Sequence, residues 1–351
     1  MTRRSLVPDL QRSLRAPRPG RRVERARPTP EHQARLAARL TSRDRWLTRL
    51  IAEHRVLTSA QIAHAAFPSP HAANVRLREL YQWRVLNRFQ PYTDHGNAHH
   101  HYILDTAGHT LLAHEDGITP KDLRWTPDQA LAVAHSLRLA HTIAVNGVFT
   151  ALIHTARTRG GRLTAWWSED RCGRLFGAHI RPDGYGRWTD HPGGLEVEFF
   201  LEHDQGSEQL SRVAGKLAGY AALAAATGIS TPVLFRFRTT GRETTARPAL
   251  AAALARLHRP DTVPVATTAA DQAPAADGDH GPAGPVWLPL HPHTQAGAGR
   301  LRLAHLPARA WPHLPTPTPA GPPAELPTTP AVRRRLTPPA PMPPPQPAHR
   351  G

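Results

Sequence analysis

The chain is poor in cysteine and in lysine. One cysteine, Cys172, occurs among 351 residues. That excludes a disulfide-stapled secreted scaffold, and equally a zinc finger or ribbon built on paired cysteines. Long apolar runs are missing too. No stretch of 18 or more uncharged apolar residues occurs, so no membrane span is expected. The opening Met1-Thr2-Arg3-Arg4 is charged but has no apolar stretch behind it, and does not read as a signal peptide. A reducing, cytoplasmic setting is the expectation. Lysine appears only as Lys121 and Lys216, against 42 arginines. With many Ala, Pro and Gly, that bias fits a GC-rich coding sequence. It also singles out the two lysines, because a compact ammonium on a flexible stem is not interchangeable with a guanidinium at close quarters.

What the chain has in abundance is positive charge, formally +17. A polyanion is the expected partner, nucleic acid foremost. The length suggests about two domains. Both ends read as disordered. Residues 1–41 form a basic arm, with eleven arginines in the first 40 positions against Asp9, Glu24 and Glu31. Such an arm neutralises phosphates without reading sequence. Residues 307–351 hold 16 prolines in 45 positions and read as a disordered Pro-rich tail. Ala269–Gly284 reads as a linker. Folded structure is expected between 42 and 268, with one further strand at 286–290.

Residues 42–115 read as a winged helix-turn-helix. Trp46, Leu47, Leu50 and Ile51 have helical spacing. Thr58 looks like an N-cap for a short helix from Ser59 to Ala66. After Pro68-Ser69-Pro70, a third helix is expected from His71 to Trp83. Its apolar positions are Ala73, Leu77, Leu80 and Tyr81, and its polar face carries His71, Asn74, Arg76 and Arg78. Val85–Phe89, with Arg88, alternates as a strand. Asp94-His95-Gly96-Asn97 is turn chemistry, and His99–Leu104 is the return strand. In such a unit the helix after the turn enters the major groove of DNA and the hairpin touches backbone. His71, Asn74, Arg76, Arg78 and Arg88 are therefore the candidate DNA-binding residues. A protein-interaction module is the competing reading of the same element order. The histidines at 95, 99, 100 and 101 do not suggest a metal site, because successive strand residues face opposite ways.

Residues 128–268 read as a mixed α/β unit with a small central sheet. A linker near Asp116–Pro127 precedes a long helix over 128–157. Strands are expected at 162–168, within 178–188, at 195–204 and at 232–238. Ser207 is the expected cap of a helix reaching Ala225, and a further helix lies near 244–257. Alternation puts Glu198, Phe200, Glu202 and Asp204 on one face of their strand. Glu202 and Asp204 then project together, about 7 Å apart. Asp183 follows Pro182 at a strand end, and Glu169 follows Ser168. Acids converging from neighbouring strands make an oxygen-rich site suited to Mg2+, which would activate water and neutralise a phosphodiester. Lys216 falls at the boundary of the apolar stripe of its helix, within reach of those acids. No Walker or dinucleotide fingerprint occurs in the glycine-bearing stretch 173–186. Cys172, in a loop, reads as structural.

Pro182-Asp183 followed by Glu202-His203-Asp204 resembles the PD-(D/E)XK nuclease signature. The wider pattern resembles the actinobacterial replication-relaxation family of plasmids and integrative elements. The resemblance rests on Leu57-Thr58-Ser59-Ala60-Gln61-Ile62, on Arg181-Pro182-Asp183-Gly184, on Phe199 through Glu208, and on Lys216-Leu217-Ala218-Gly219-Tyr220. It spans residues 43 to 240. It implies DNA binding in plasmid or mobile-element replication, relaxation or transfer, with replication or transfer proteins as further partners. The nuclease signature has lysine two residues after the second acid, where this chain has Asp204. Under the resemblance Lys216 supplies that lysine and Glu169 is a helper acid. Asp183, Glu202 and Asp204 would hold the metal. Two readings follow: a DNA-binding protein on a nuclease-like fold without activity, or a divalent-metal nuclease or nickase using Asp183, Glu202 and Lys216. An adaptor that binds protein is the third.

Overall fold

The computed structural model describes residues 24–91, 98–123, 125–191, 194–228, 230–272, 281–290 and 299–312. The architecture is mixed α/β, with two sheets. The chain divides into two units between Asn146 and Gly147.

The first unit corrects the expectation of a disordered arm over residues 24–41. Helix α1 (Pro30–Arg39) starts there, capped by Thr29, with Pro30 in its first turn beside Glu31. Proline and an acid at that end are favourable because the first N–H groups are unpaired and the dipole is positive. His32, Leu36 and Leu40 are buried, while Arg35 and Arg39 are exposed. The arginines that suggested disorder thus occupy the outer face of an amphipathic helix. Arg25 is also anchored: its side chain donates to the Tyr81 and Leu86 carbonyls and pairs with Asp105. Residues 1–23 of the expected arm lie outside the described residues.

Helix α2 (Ser42–His54) opens on a reciprocal cap between Thr41 and Asp44. Strand β1 (Leu57–Thr58) leads into α3 (Ser59–Ala66), where Thr58 and Gln61 form the same kind of box. Ser69 caps α4 (Pro70–Gln82). Strands β2 (Leu86–Phe89) and β3 (His101–Leu104) pair antiparallel, and β1 adds to β3. The helix–helix–helix–hairpin order is the one expected from the sequence. The expected turn, including Asp94 to Asn97, lies outside the described residues. A helix that was not foreseen, α5 (Thr106–Glu115), follows and is capped by Asp105.

The expected single helix over 128–157 is two helices. Helix α6 (Pro127–Ala132) runs into a 3-10 turn at Val133–His135, and α7 (Leu139–Arg159) starts afresh. Ser136 takes an extended backbone, and its hydroxyl accepts from the Arg138 N–H at 3.1 Å. A serine offering its side chain to the backbone competes with the helix. An apolar residue within the expected helix, Leu137, is 80 % exposed and belongs to no buried stripe. Ala130, Ala134 and Leu139 instead pack on Val56, Phe89 and Ile103.

The second unit is a six-stranded sheet in the order β4 (Arg162–Ser168), β5 (Gly184–Thr189), β6 (Val197–Asp204), β7 (Val233–Phe237), β8 (Val265–Ala269), β9 (Leu288–Pro289). Strands β4 to β6 are antiparallel, β6 to β8 parallel, and β9 antiparallel at the edge. The parallel part is wound by α9 (Leu210–Thr227) and α10 (Thr240–Ala255), as parallel pairing demands a crossover. These helices cover the face bearing Tyr185, Phe200, Phe235 and Phe237. On the other face Phe149 of α7 stacks on Trp166 at 5.0 Å and on Phe199 at 5.9 Å. By length and composition alone α7 could cross a membrane. Its Phe149, Leu152 and Ile153 are buried in the protein core.

Several details differ from the sequence reading. Ser207 does not cap α9; the helix begins after Gln209, without a side-chain cap bond. Helix α8 (Glu169–Phe176) and strand β8 were not foreseen. Cys172 lies buried in α8, not in a loop. The end of the expected linker is packed, with Ala283 buried, and β9 falls within the expected strand at 286–290. Residues 307–312, expected in the Pro-rich tail, continue into α11 (Leu306–Ala310) and the buried Trp311. Residues 313–351 lie outside the described residues.

Candidate functional site

Two places collect the predicted site residues, one in each unit. The first is α4. Ala73, Leu77 and Leu80 are its buried positions. At about 100° per residue, His71, Asn74, Val75 and Arg78 fall on the opposite side, and all four are exposed. His71, Asn74 and Arg78 make no hydrogen bond or ion pair among the described residues. Arg76 lies about 40° from Leu80 by the same count, and that position commits it inward. Its guanidinium donates to Asp44 at 3.0 and 2.6 Å and to Glu79 at 2.6 Å, and stacks over Trp83. Asp44 is fully buried. Burial would raise its pKa, but the Arg76 and Thr41 hydrogen bonds hold it below the ordinary value. Arg88, on β2, is half-buried over the Tyr81 ring, 4.5 Å from its centroid. The five predicted DNA-binding residues therefore separate: three are exposed, Arg88 is stacked, and Arg76 is an internal ion-pair partner.

The second place is the β6–α9 junction. Strand alternation sends Phe200, Glu202 and Asp204 to the face covered by α9 and α10. Lys216 and Tyr220, one helical turn apart, both reach Glu202. The Lys216 ammonium donates to Oε2 and the Tyr220 hydroxyl to Oε1, each at 2.6 Å. Glu202 is 1 % exposed. Asp204 accepts from Arg242 Nε of α10 at 2.7 Å and from the Gly206 N–H at 2.8 Å. Asp183 accepts from the His203 N–H at 2.7 Å. Gly184 pairs with Leu201 on one side and Ser168 on the other. Continuing that register by one step sets Asp183 level with Glu202 and with Glu169, the half-buried first residue of α8. The Gly184 and Gly186 positions leave room for Phe149: a Cβ would stand 3.0 and 2.8 Å from its ring. Pro182-Asp183-Gly184 is thus a strand entry shaped by packing, not an isolated turn.

The electrostatics follow from burial. Burial and the Asp183 charge push Glu202 up to about 7, against the pull of Lys216 and Tyr220. Burial opposes the Lys216 charge, yet Glu202 and Asp183 together raise its pKa above the ordinary value. Burial and the same carboxylates move the Tyr220 hydroxyl well above its ordinary range. Lys216 is therefore a permanent cation, and Tyr220 a permanent donor, to a carboxyl that titrates near neutrality. Tyr220 and Arg242 were missed by sequence reasoning. Tyr220 is one of the buried residues of α9, and a buried tyrosine needs a partner for its hydroxyl. That requirement, four residues after Lys216, was the available signal.

The donor set bears on the magnesium expectation. Both Glu202 oxygens are engaged internally, and Asp183 and Asp204 have internal partners as well. Among the described residues no group of three His, Cys, Asp or Glu side chains is arranged to hold a metal ion. Lys216 and Tyr220 thus occupy the two oxygens that a divalent ion would share with them on Glu202.

A helical unit with an exposed polar helix face, joined to a sheet unit with a buried acid–lysine cluster, defines a two-part mixed α/β protein. The replication-relaxation family model matches residues 48–235, and the chain belongs to that family. The matched span takes in α4 and the cluster of Asp183, Glu202 and Lys216. No curated protein and no solved structure matches the chain.

Proposed function

We propose that the protein binds duplex DNA of a plasmid or mobile element during its replication, relaxation or transfer, in the cytoplasm. The first unit acts as a winged helix with α4 as the groove-entering helix. The second unit is a PD-(D/E)XK nuclease-like fold whose acid–lysine cluster stabilises the sheet. Replication or transfer proteins are the expected further partners. The observation that carries this reading is the division of labour on α4. His71, Asn74 and Arg78 stay exposed, without hydrogen bonds or ion pairs among the described residues, while Arg76 is consumed by Asp44. Asn and Arg side chains at one-turn spacing match the base-edge chemistry of the major groove. Arg78 and the surplus of positive charge supply attraction to phosphate.

A second reading, a magnesium-dependent nuclease using Asp183, Glu202 and Lys216 with Glu169 assisting, is favoured by one observation. The only lysine of the second unit sits 2.6 Å from the second acid of the resembling motif. Two measurements on the full chain separate the readings. Duplex binding by fluorescence anisotropy is expected to weaken steeply between 50 and 200 mM salt, as phosphate neutralisation requires. Supercoiled plasmid is expected to stay intact in millimolar Mg2+ or Mn2+. Cleavage lost in both Asp183→Ala and Lys216→Ala would establish the nuclease instead, and the absence of salt-sensitive binding would remove the DNA reading.

A further inference from the structure

We infer that α4 reads base sequence, and that Val75 recognises the 5-methyl group of a thymine in the major groove. This rests on the duplex-binding reading above and adds what the duplex must contain. Val75 is 51 % exposed. Among the described residues the other exposed large apolar side chains are Leu131, Leu137, Leu175 and Leu195. Val75 alone of these stands on α4, on the side away from Ala73, Leu77 and Leu80. By the same angular count it lies about 40° from His71 and about 60° from Arg78. It is an apolar point within a polar face.

The fold gains little from valine there. A β-branched residue is a poorer helix former than alanine or glutamine, and this one is half exposed. Its χ1 is nearly fixed in a helix, so its two methyl groups are presented rigidly. The major groove admits a helix, and each base pair shows a distinct edge there. Thymine alone presents a methyl group, which favours apolar contact. Asn74 has the two-pronged amide that suits adenine, and Arg78 the fork that suits guanine. From His71 to Arg78 the helix rises about 10 Å, close to three base-pair steps at about 3.4 Å each. The site therefore takes a short base-pair core holding at least one A·T pair, with the thymine methyl against Val75.

The test uses the full chain. Duplexes are selected from a random pool, and in the best one each thymine is replaced singly by uracil, which removes only the methyl group. One replacement is expected to weaken wild-type binding about 3- to 10-fold, the scale of one desolvated methyl contact. The same replacement is expected to leave Val75→Ser binding unchanged, because serine has no methyl group to set against that of thymine. Val75→Ser should keep the wild-type salt dependence, because the residue carries no charge. Salt-sensitive binding with no uracil effect, or the same effect in Val75→Ser, overturns this inference and leaves the duplex-binding reading standing. No duplex binding at all overturns both. Because Val75 is exposed, the thermal midpoint of Val75→Ser is expected to match wild type, so lost binding is not lost folding.

Discussion

Arg76 and Arg78 are two residues apart on one helix, and the fold treats them oppositely. Arg76 lies beside the buried stripe and closes an ion pair with Asp44. Arg78 lies on the far side and stays exposed. The β6–α9 cluster resembles Arg76: Glu202 has both oxygens engaged, by Lys216 and by Tyr220. Identical side-chain chemistry thus serves the fold in one place and remains available to a partner in another. What separates the two is whether the group's hydrogen-bonding capacity is already satisfied inside the molecule. Net charge and motif order do not distinguish them.

The largest expected effect comes from breaking the buried pair. Lys216→Ala leaves Glu202 buried without its cation, a loss of about 3–5 kcal/mol by analogy with other buried pairs. The urea midpoint at pH 8 should show it. At pH 5 the loss should shrink, because the carboxyl can then take up a proton. Wild-type stability should also depend on pH. The folded-state pKa of Glu202 is raised from 4.5 to about 7. A proton held more tightly by the folded state stabilises it below the unfolded pKa, and that contribution is lost as pH rises through the folded one. Unfolding midpoints should therefore decline between about pH 5 and pH 8, and Glu202→Gln should flatten the decline. A flat wild-type profile would count against the buried, titrating carboxyl. Asp44 carries the opposite sign. Its pKa is lowered, so its contribution is present above the ordinary carboxylate value and lost as pH falls through the folded one.

The next effect sharpens the arginine comparison. Arg76→Ala should cost about 2–3 kcal/mol, since it strips charged hydrogen bonds from a buried acid. Arg78→Ala should stay within about 0.5 kcal/mol, as exposed substitutions do. Denaturant titration of the two variants checks both, and equal losses would erase the distinction. The smallest effect is at a helix cap: Thr58→Ala opens the capping box of α3 and should cost about 1 kcal/mol in the same assay.

Much of this was legible in the sequence because it rests on local rules. The cap at Thr58, the break at Pro68-Ser69-Pro70, the alternation of β6 and the helical stripe of α9 each follow from a few neighbouring residues. The approach of Lys216 to Glu202 was legible for the same reason, as a boundary position on a helix that follows a strand. What was missed depends on distant partners. Helix α1 is held by burial of His32, Leu36 and Leu40 under an arginine-rich exterior. Strand β8, Val-Ala-Thr-Thr-Ala, has small residues and owes its place to pairing with β7 and β9. The inward turn of Arg76 depended on Asp44, 32 residues earlier in the chain. Composition gave no sign that residues 299–312 return to the second unit. There Arg300 is bound to the buried Glu243 at 2.7 Å.

The central claim is that the exposed face of α4 holds DNA while saturated side chains hold the fold. Duplex affinity of Arg78→Ala, measured by anisotropy beside wild type at one fixed salt concentration, tests it most directly. The expected result is a loss of about 10- to 100-fold, the scale of one lost base or phosphate contact by arginine, with the unfolding midpoint unchanged. Wild-type affinity in Arg78→Ala would contradict it.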